Sequence, residues 1–155
     1  MNVSKRRFNK ELINLKEKYI QTNEMEVDIE VENVGIITIQ ILDLSFPFKK
    51  PSIFVNQQKY IDFLQWPSVH AHQICKNFFP EQLCTCLSCF SLHCSEWCPA
   101  YTFSFIIKEV KEKYFIKSTV LSYMNEKIFL LVEKIKTQNN IPSEINIFQF
   151  LEFKC

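Results

Sequence analysis

The side chains best suited to chemistry in this sequence are its cysteines, of which there are seven in 155 residues. Five of them fall in one short stretch: Cys84, Cys86, Cys89, Cys94 and Cys98. The N-terminal residues include no apolar run typical of a secretory signal, so we expect a cytoplasmic or nuclear protein whose thiols stay reduced. Clustered cysteines in such a compartment bind metal, act as nucleophiles or pack as small apolar side chains.

Metal binding is one chemistry that the cysteine spacing allows. Cys86 and Cys89 are separated by two residues, which is the spacing of a zinc knuckle, and Cys84 and Cys94 lie close by in the sequence. A complete site of this kind needs two such pairs, and the second pair here is irregular. The sequence therefore keeps a zinc-stabilised interaction domain as an alternative hypothesis.

Composition excludes several broad classes of protein. Hydrophobic residues make up 47% of the chain and the net charge is +1, which disfavours disorder and nucleic-acid binding driven by bulk charge. No apolar run approaches the roughly 18 residues that a membrane span needs. We therefore expect a single domain over residues 1–155, without a nucleic-acid or membrane partner.

The elements that must position the cysteines begin with a helix and a sheet. Apolar residues at spacings of three and four predict an amphipathic helix over Ser4–Ile20, capped by Ser4. From Met25 the period becomes two, which predicts strands over 25–31, 36–44 and 53–55. The single glycine, Gly35, lies in the turn between the first two strands, where a positive φ is readily adopted.

The C-terminal half of the sequence indicates an irregular loop followed by helices. Residues 56–98 show no sustained period, and we interpret His70 and His72 as loop residues. Pro99 suits the first turn of one helix, and the apolar pattern of 119–137 predicts another, both with core-facing stripes. Residues 145–153 fit a strand or a short helix equally well. This order of elements predicts an α+β fold with helices against one face of a small antiparallel sheet.

Three segments, taken in chain order, resemble the ubiquitin-conjugating enzyme family. Arg7–Leu12 (RFNKEL) resembles the opening helix of the family, and Phe46–Pro51 (FPFKKP) is similar to its Tyr-Pro-Phe-Lys-Pro-Pro loop. In the third, Cys89 stands eight residues before a Trp-Cys-Pro-Ala segment that begins at Trp97. The family places its catalytic cysteine eight residues before Trp-Ser-Pro-Ala. The resemblance covers residues 4–115 and implies an N-terminal helix, a meander, an irregular active-site loop and C-terminal helices.

The resemblance implies a function for Cys89. This thiol would accept ubiquitin or a ubiquitin-like modifier as a thioester from an activating enzyme, without a cofactor, and pass it to a substrate or a ligase. By the same resemblance, Arg6 and Arg7 belong to the surface that docks the activating enzyme and ligases. The resemblance also implies an exposed ligase-binding patch formed by Phe48, Pro99 and Ala100. The loop 46–51 and the segment 97–100 would then share one surface.

Two departures from the family pattern leave a second alternative open. Where the family has His-Pro-Asn, this chain has Phe79-Pro80-Glu81. An ionised Glu81 accepts hydrogen bonds and cannot donate one to the oxyanion that forms during transfer to lysine, although Asn77 could substitute as a donor. The predicted meander is also one strand shorter than that of the family. These departures fit a catalytically inactive variant that binds ubiquitin or another partner.

Overall fold

The computed structural model of the chain describes residues 2–81, 84–89, 91–92, 94 and 97–142. Its elements are α1 (Val3–Ile13), β1 (Lys18–Asn23), β2 (Glu26–Val31), β3 (Gly35–Gln40), β4 (Ser52–Val55), β5 (Gln58–Lys59), α2 (Tyr60–Phe63), α3 (Val69–Phe78) and α4 (Phe103–Gln138). The predicted α+β class with a small antiparallel sheet is confirmed. Contacts divide the chain into two compact units, residues 1–117 and 118–155. The ambiguous stretch 145–153 lies outside the described residues.

The first helix is shorter than its sequence pattern predicted. It begins after Asn2, whose Oδ1 accepts a hydrogen bond from Ser4 N at 3.0 Å, and it ends at Ile13. The N-cap is therefore Asn2 and not Ser4. Ser4 is buried instead, and its hydroxyl hydrogen-bonds to the carbonyl oxygens of Leu44 and Phe46. This contact ties α1 to the segment that leads into the 46–51 loop.

Residues 18–23, predicted as the end of that helix, form strand β1. This strand pairs antiparallel with β2, and Tyr19 lies opposite Ile29. β1 is an edge strand and all six of its residues are exposed, so no alternation of buried and exposed positions marks it in the sequence. Leu15 and Tyr19 continue the helical spacing of α1 only by coincidence. The prediction that the meander lacks a strand is therefore wrong.

The sheet is a meander in which consecutive strands are neighbours, in the order β1-β2-β3-β4-β5. The alternation predicted for the central hairpin is confirmed, since Val27 pairs with Ile39 and Ile29 with Ile37, and all four side chains are fully buried. On the opposite face, Thr38 Oγ1 donates to Asp28 Oδ1 at 2.6 Å. One face of the sheet thus supplies the core, and the other is polar.

The turn between β2 and β3 requires its glycine. Gly35 has a φ of 107° and Asn33 has a φ of 63°, both in the left-handed region. The side chain of Asn56 closes over this turn, since it accepts from Ile36 N at 2.9 Å and donates to Val34 O at 2.8 Å. A Cβ at position 35 would lie 2.2 Å from Asn56 Oδ1, so any larger residue there would displace the asparagine.

α2 lies where the spacing of Tyr60, Phe63 and Leu64 allows a helical turn, and α3 replaces part of the predicted irregular loop. His70 and His72 lie in α3, so their interpretation as loop residues is wrong. α3 has 10 residues and buries Ala71 and Cys75, which are four positions apart. Two buried positions do not make a recognisable helical period, which explains why the sequence pattern did not predict this helix.

The two predicted C-terminal helices are one continuous helix, α4, of 36 residues. The segment 115–118 contains neither glycine nor proline, so nothing interrupts the helix where the prediction divided it. α4 begins at Phe103, after a turn at Pro99 and Ala100, and Pro99 therefore precedes the helix instead of opening it. In the first unit, α4 buries Phe103 and Val110.

In the second unit, α4 exposes apolar side chains that were predicted to form core. They are Ile128, Leu131 and Ile135, whereas Val120, predicted on the same face, is buried; Phe129 and Leu130 are exposed as well. Within the described part of this unit, α4 is the one regular element, so the expected core has no second layer there. The helices in the described ranges all fall short of the length and apolar content that a bilayer crossing demands.

Candidate functional site

Three of the clustered cysteines converge in the loop that follows α3. The Sγ atoms of Cys84, Cys86 and Cys89 all lie within 4.8 Å of one another, and each residue is half-buried. Leu87, between the second and third cysteine, is 2% exposed and anchors the loop to the core. We call these three residues the thiol cluster.

Hydrogen bonds within the thiol cluster shift the pKa values of its three thiols in different directions. Cys86 N donates to Cys84 Sγ at 3.4 Å, and this bond, followed by those from the Cys89 and Cys86 thiols, lowers the pKa of Cys84. The hydrogen bond with Cys84 is also the largest cause that raises the pKa of Cys89 to about 11. The pKa of Cys86 is raised chiefly by the same partner. Among these three residues, the thiolate form is therefore favoured at Cys84.

A buried cation and a fourth thiol accompany the thiol cluster. Lys113 of α4 is only 8% exposed, and its charge favours the thiolate forms of both Cys84 and Cys75. Cys75 of α3 is 1% exposed, and burial raises its pKa, with a further contribution from Cys84. The Cys84 thiolate and the Lys113 ammonium thus bring opposite charges together in a partly buried environment.

We call the segment after α3 that carries the thiol cluster the cysteine loop. Its first half is held by His72 of α3 and by Trp66, which precedes α3. Trp66 Nε1 donates to Thr85 O at 2.8 Å, and His72 Nδ1 lies 3.1 Å from Thr85 Oγ1. The two rings also contact each other edge to face, with centroids 6.2 Å apart. Because Thr85 stands between Cys84 and Cys86, these contacts hold the backbone that carries both cysteines. Sequence reasoning missed this role of His72.

The second half of the loop is held by α4. Leu92 N donates to both carboxylate oxygens of Glu109, at 2.9 and 3.0 Å. Tyr60 also donates its hydroxyl to Glu109 Oε1 at 2.7 Å, and burial raises the pKa of Tyr60 well above its usual range. Glu109 therefore acts as a positioning residue for the loop that carries Cys89. No motif in the sequence marks it, because its partners are distant along the chain.

The two segments expected to share a surface do lie side by side. Trp97 Nε1 donates to Pro47 O at 2.6 Å, across 50 residues of sequence. Trp97 packs edge to face on Tyr101, which stacks on Phe105 with centroids 4.5 Å apart. Phe48 is 73% exposed, Ala100 is exposed and Pro99 is half-buried. The predicted patch is thus available to a partner.

The two arginines of the predicted docking surface have different roles. Arg6 is exposed, as a docking residue must be. Arg7 forms an ion pair with Glu11 at 2.7 Å, and its guanidinium lies 3.4 Å from Tyr101 O. Glu11 is 4% exposed and accepts a hydrogen bond from Phe103 N, so Arg7 belongs to an internal network that joins α1 to α4.

The remaining predicted residues are not members of the thiol cluster. Cys94, proposed as a zinc ligand, is exposed and is not one of the converging sulphurs. Asn77 lies in α3, where its Oδ1 accepts from Gln73 Nε2 at 3.4 Å. Glu81 is exposed, three residues after the end of α3. The set of possible metal ligands predicted from sequence is therefore reduced from four cysteines to three among the described residues.

Comparison with known proteins adds no relationship: no family model matches this chain, and neither the curated proteins nor the solved structures include a significant match.

Proposed function

We propose that this chain is a divergent ubiquitin-conjugating protein, which carries ubiquitin or a ubiquitin-like modifier as a thioester on Cys89. The observation that carries the proposal is the hydrogen bond from Trp97 Nε1 to Pro47 O. It joins two of the segments on which the resemblance rests, although 50 residues separate them in sequence. Chance similarity of two short motifs gives no reason for them to meet in space.

The order of elements supports the same proposal. α1 is followed by the meander β1–β5, in which β1 supplies the strand that the sequence pattern had missed, and α2 and α3 are inserted between this meander and the cysteine loop. The cysteine loop then precedes the Trp97 segment and α4. This is the succession of helix, meander, active-site loop and helix that the resemblance implies.

The chemistry of loading can be written with residues of this chain. Cys89 gives its proton to the Cys84 thiolate, its hydrogen-bond partner, and the Cys89 sulphur attacks the carbonyl carbon of the modifier's C-terminal thioester on the activating enzyme. The thiolate of the activating enzyme leaves, and one thioester replaces another. Because Glu81 does not donate to an oxyanion when ionised, the second transfer is better suited to a ligase cysteine than to a lysine.

A loading assay tests the proposal. The protein is incubated with an activating enzyme, ATP and ubiquitin, and products are separated on gels with and without reductant. We expect one ubiquitin per chain, in an adduct that reductant removes. Cys89→Ser should give no adduct or an oxyester that resists reductant. The matched controls Cys94→Ser and Cys98→Ser alter exposed thiols outside the thiol cluster and should load normally. Loading that persists without Cys89 would refute the assignment.

The second candidate function is a non-catalytic variant that binds ubiquitin or another partner. One argument for it is Glu81, which stands in the oxyanion position of the family. The other is the pKa of Cys89, which its hydrogen bond with Cys84 is the largest cause of raising, to about 11. A pKa this high leaves little thiolate at neutral pH. If no cysteine loads with any activating enzyme, while ubiquitin perturbs the NMR signals of Phe48 and Ala100, this candidate replaces the first.

A further inference from the structure

We propose that the thiol cluster is a Zn²⁺ site with three thiolate ligands, Cys84, Cys86 and Cys89. The proposal concerns these sulphurs and does not depend on ubiquitin transfer. A tetrahedral zinc ion with Zn–S bonds of about 2.3 Å holds its sulphurs roughly 3.8 Å apart. The three Sγ atoms, all within 4.8 Å of one another, need to move by an ångström or less to reach that geometry.

The backbone already supplies the kind of support that metal-bound thiolates receive. The N–H group of Cys86 points at Cys84 Sγ from 3.4 Å, which stabilises a thiolate there whether or not a proton is replaced by a metal. Thr85, between these two ligands, is held by Trp66 and His72, so the backbone that carries Cys84 and Cys86 is anchored before any ion arrives. A preformed site loses less entropy on binding than a flexible one.

Charge balance favours a divalent ion. Three thiolates and one Zn²⁺ carry a net charge of −1, and the ammonium of Lys113, 8% exposed and close enough to act on Cys84, compensates it. A monovalent ion such as Cu⁺ would leave one further negative charge in a partly desolvated place. Hard cations such as Mg²⁺ and Ca²⁺ prefer oxygen ligands, so three sulphurs select against them. With three protein ligands, the zinc ion would keep a fourth position open to water.

Competition between zinc and the modifier for Cys89 is the one part of this inference that rests on the proposed function. Cys89 cannot hold zinc and form a thioester at the same time, because both use the same sulphur lone pair and charge. Zinc binding and loading therefore exclude each other. Saturating zinc should abolish loading, and a chelator should restore it.

Cobalt titration of the reduced, metal-free protein tests the site. Co²⁺ should bind with a stoichiometry of one, give the intense near-ultraviolet charge-transfer bands of thiolate ligation, and be displaced by one equivalent of Zn²⁺. Each of Cys84→Ser, Cys86→Ser and Cys89→Ser should weaken Zn²⁺ binding by more than about a hundredfold, beyond the effect of losing a supporting contact. The exposed-thiol variants Cys94→Ser and Cys98→Ser should bind as the unaltered protein does.

The titration of the unaltered protein decides the proposal even if a serine variant fails to fold. Absence of charge-transfer bands, or bands that persist when all three cysteines are serine, would overturn the site. A zinc-insensitive loading reaction would overturn the competition. A protein that never loads, with or without zinc, contradicts the proposed function instead, while the cobalt spectrum still decides the metal site.

Discussion

Glu11 in α1 caps the first turn of α4, because its Oε2 accepts a hydrogen bond from Phe103 N at 3.0 Å, across 92 residues of sequence. The same carboxylate pairs with Arg7 through Oε1 at 2.7 Å. Phe8, on the same helix, packs edge to face on Phe103 with ring centroids 5.6 Å apart. The RFNKEL segment thus joins the first element of the chain to the helix that supports the cysteine loop.

Replacing Glu11 should therefore destabilise the whole first unit. Glu11→Ala leaves the buried Phe103 N–H without its acceptor and Arg7 without its counter-ion, so we expect a loss of about 3 kcal/mol in the free energy of unfolding. Urea denaturation measures it. Glu32→Ala alters an exposed carboxylate and should change that free energy by less than about 0.5 kcal/mol. Equal effects of the two substitutions would contradict the capping role.

The β2–β3 turn offers a second test of the fold. Gly35→Ala places a Cβ 2.2 Å from Asn56 Oδ1 at a φ of 107°, and we expect it to lower the free energy of unfolding by about 2 kcal/mol. Combining it with Asn56→Ala removes the clash but should not restore stability fully, because the backbone strain remains and the hydrogen bonds of Asn56 with Ile36 N and Val34 O are lost. Thermal unfolding of the single and double variants separates the two contributions.

The reactivity of Cys89 should depend on pH and on Cys84. The experiment uses protein kept free of metal by a chelator. The hydrogen bond with Cys84 is the chief cause that raises the pKa of Cys89 to about 11, so this thiol is largely protonated at neutral pH. Its alkylation should therefore accelerate as the pH rises to about 11. Cys84→Ala removes the largest cause and should return the pKa toward 9.0.

The size of that effect follows from two opposing changes. The thiolate population of Cys89 rises when its pKa falls, while each thiolate becomes less nucleophilic, so the net gain at neutral pH should be about tenfold. Peptide mapping after brief exposure to iodoacetamide measures the rate at Cys89. An unchanged rate in Cys84→Ala would show that the hydrogen bond between these thiols does not control Cys89.

Transfer to lysine tests the interpretation of Glu81. Glu81→Asn introduces an amide that can donate to an oxyanion, so we expect loading to stay unchanged while discharge of the thioester onto free lysine rises by up to about a hundredfold. Glu32→Asn makes the same chemical change at another exposed position and should leave discharge unchanged. If Glu81→Asn alters loading instead, Glu81 acts on Cys89 in some way other than oxyanion support.

The sequence predicted those parts of the fold in which burial alternates. β2 and β3 have one buried and one polar face, so Val27 and Ile29 reveal their strand directly. β1 is exposed on both faces and pairs at the edge, so Tyr19 carries no such signal. The break predicted within α4 is absent because apolar spacing alone does not distinguish two helices from one.

The candidate site was predictable only in part for a related reason. The resemblance of two segments to a known family implied that the Trp97 segment would lie beside the 46–51 loop, as it does. Which sulphurs meet depends on turns that the sequence pattern does not specify, so Cys94 was grouped with three cysteines that it does not join. The roles of Glu109 and Lys113 follow from their place on α4, far along the chain from the cysteines.

The Leu92 amide offers a way to observe the cysteine loop without altering any sulphur. This N–H group is bound to both oxygens of Glu109, at 2.9 and 3.0 Å, in a residue that is 3% exposed. It can exchange its hydrogen with solvent only when the loop separates from α4. The deuterium exchange rate at this one position therefore reports how often the loop opens, in the free protein and with zinc or ubiquitin added.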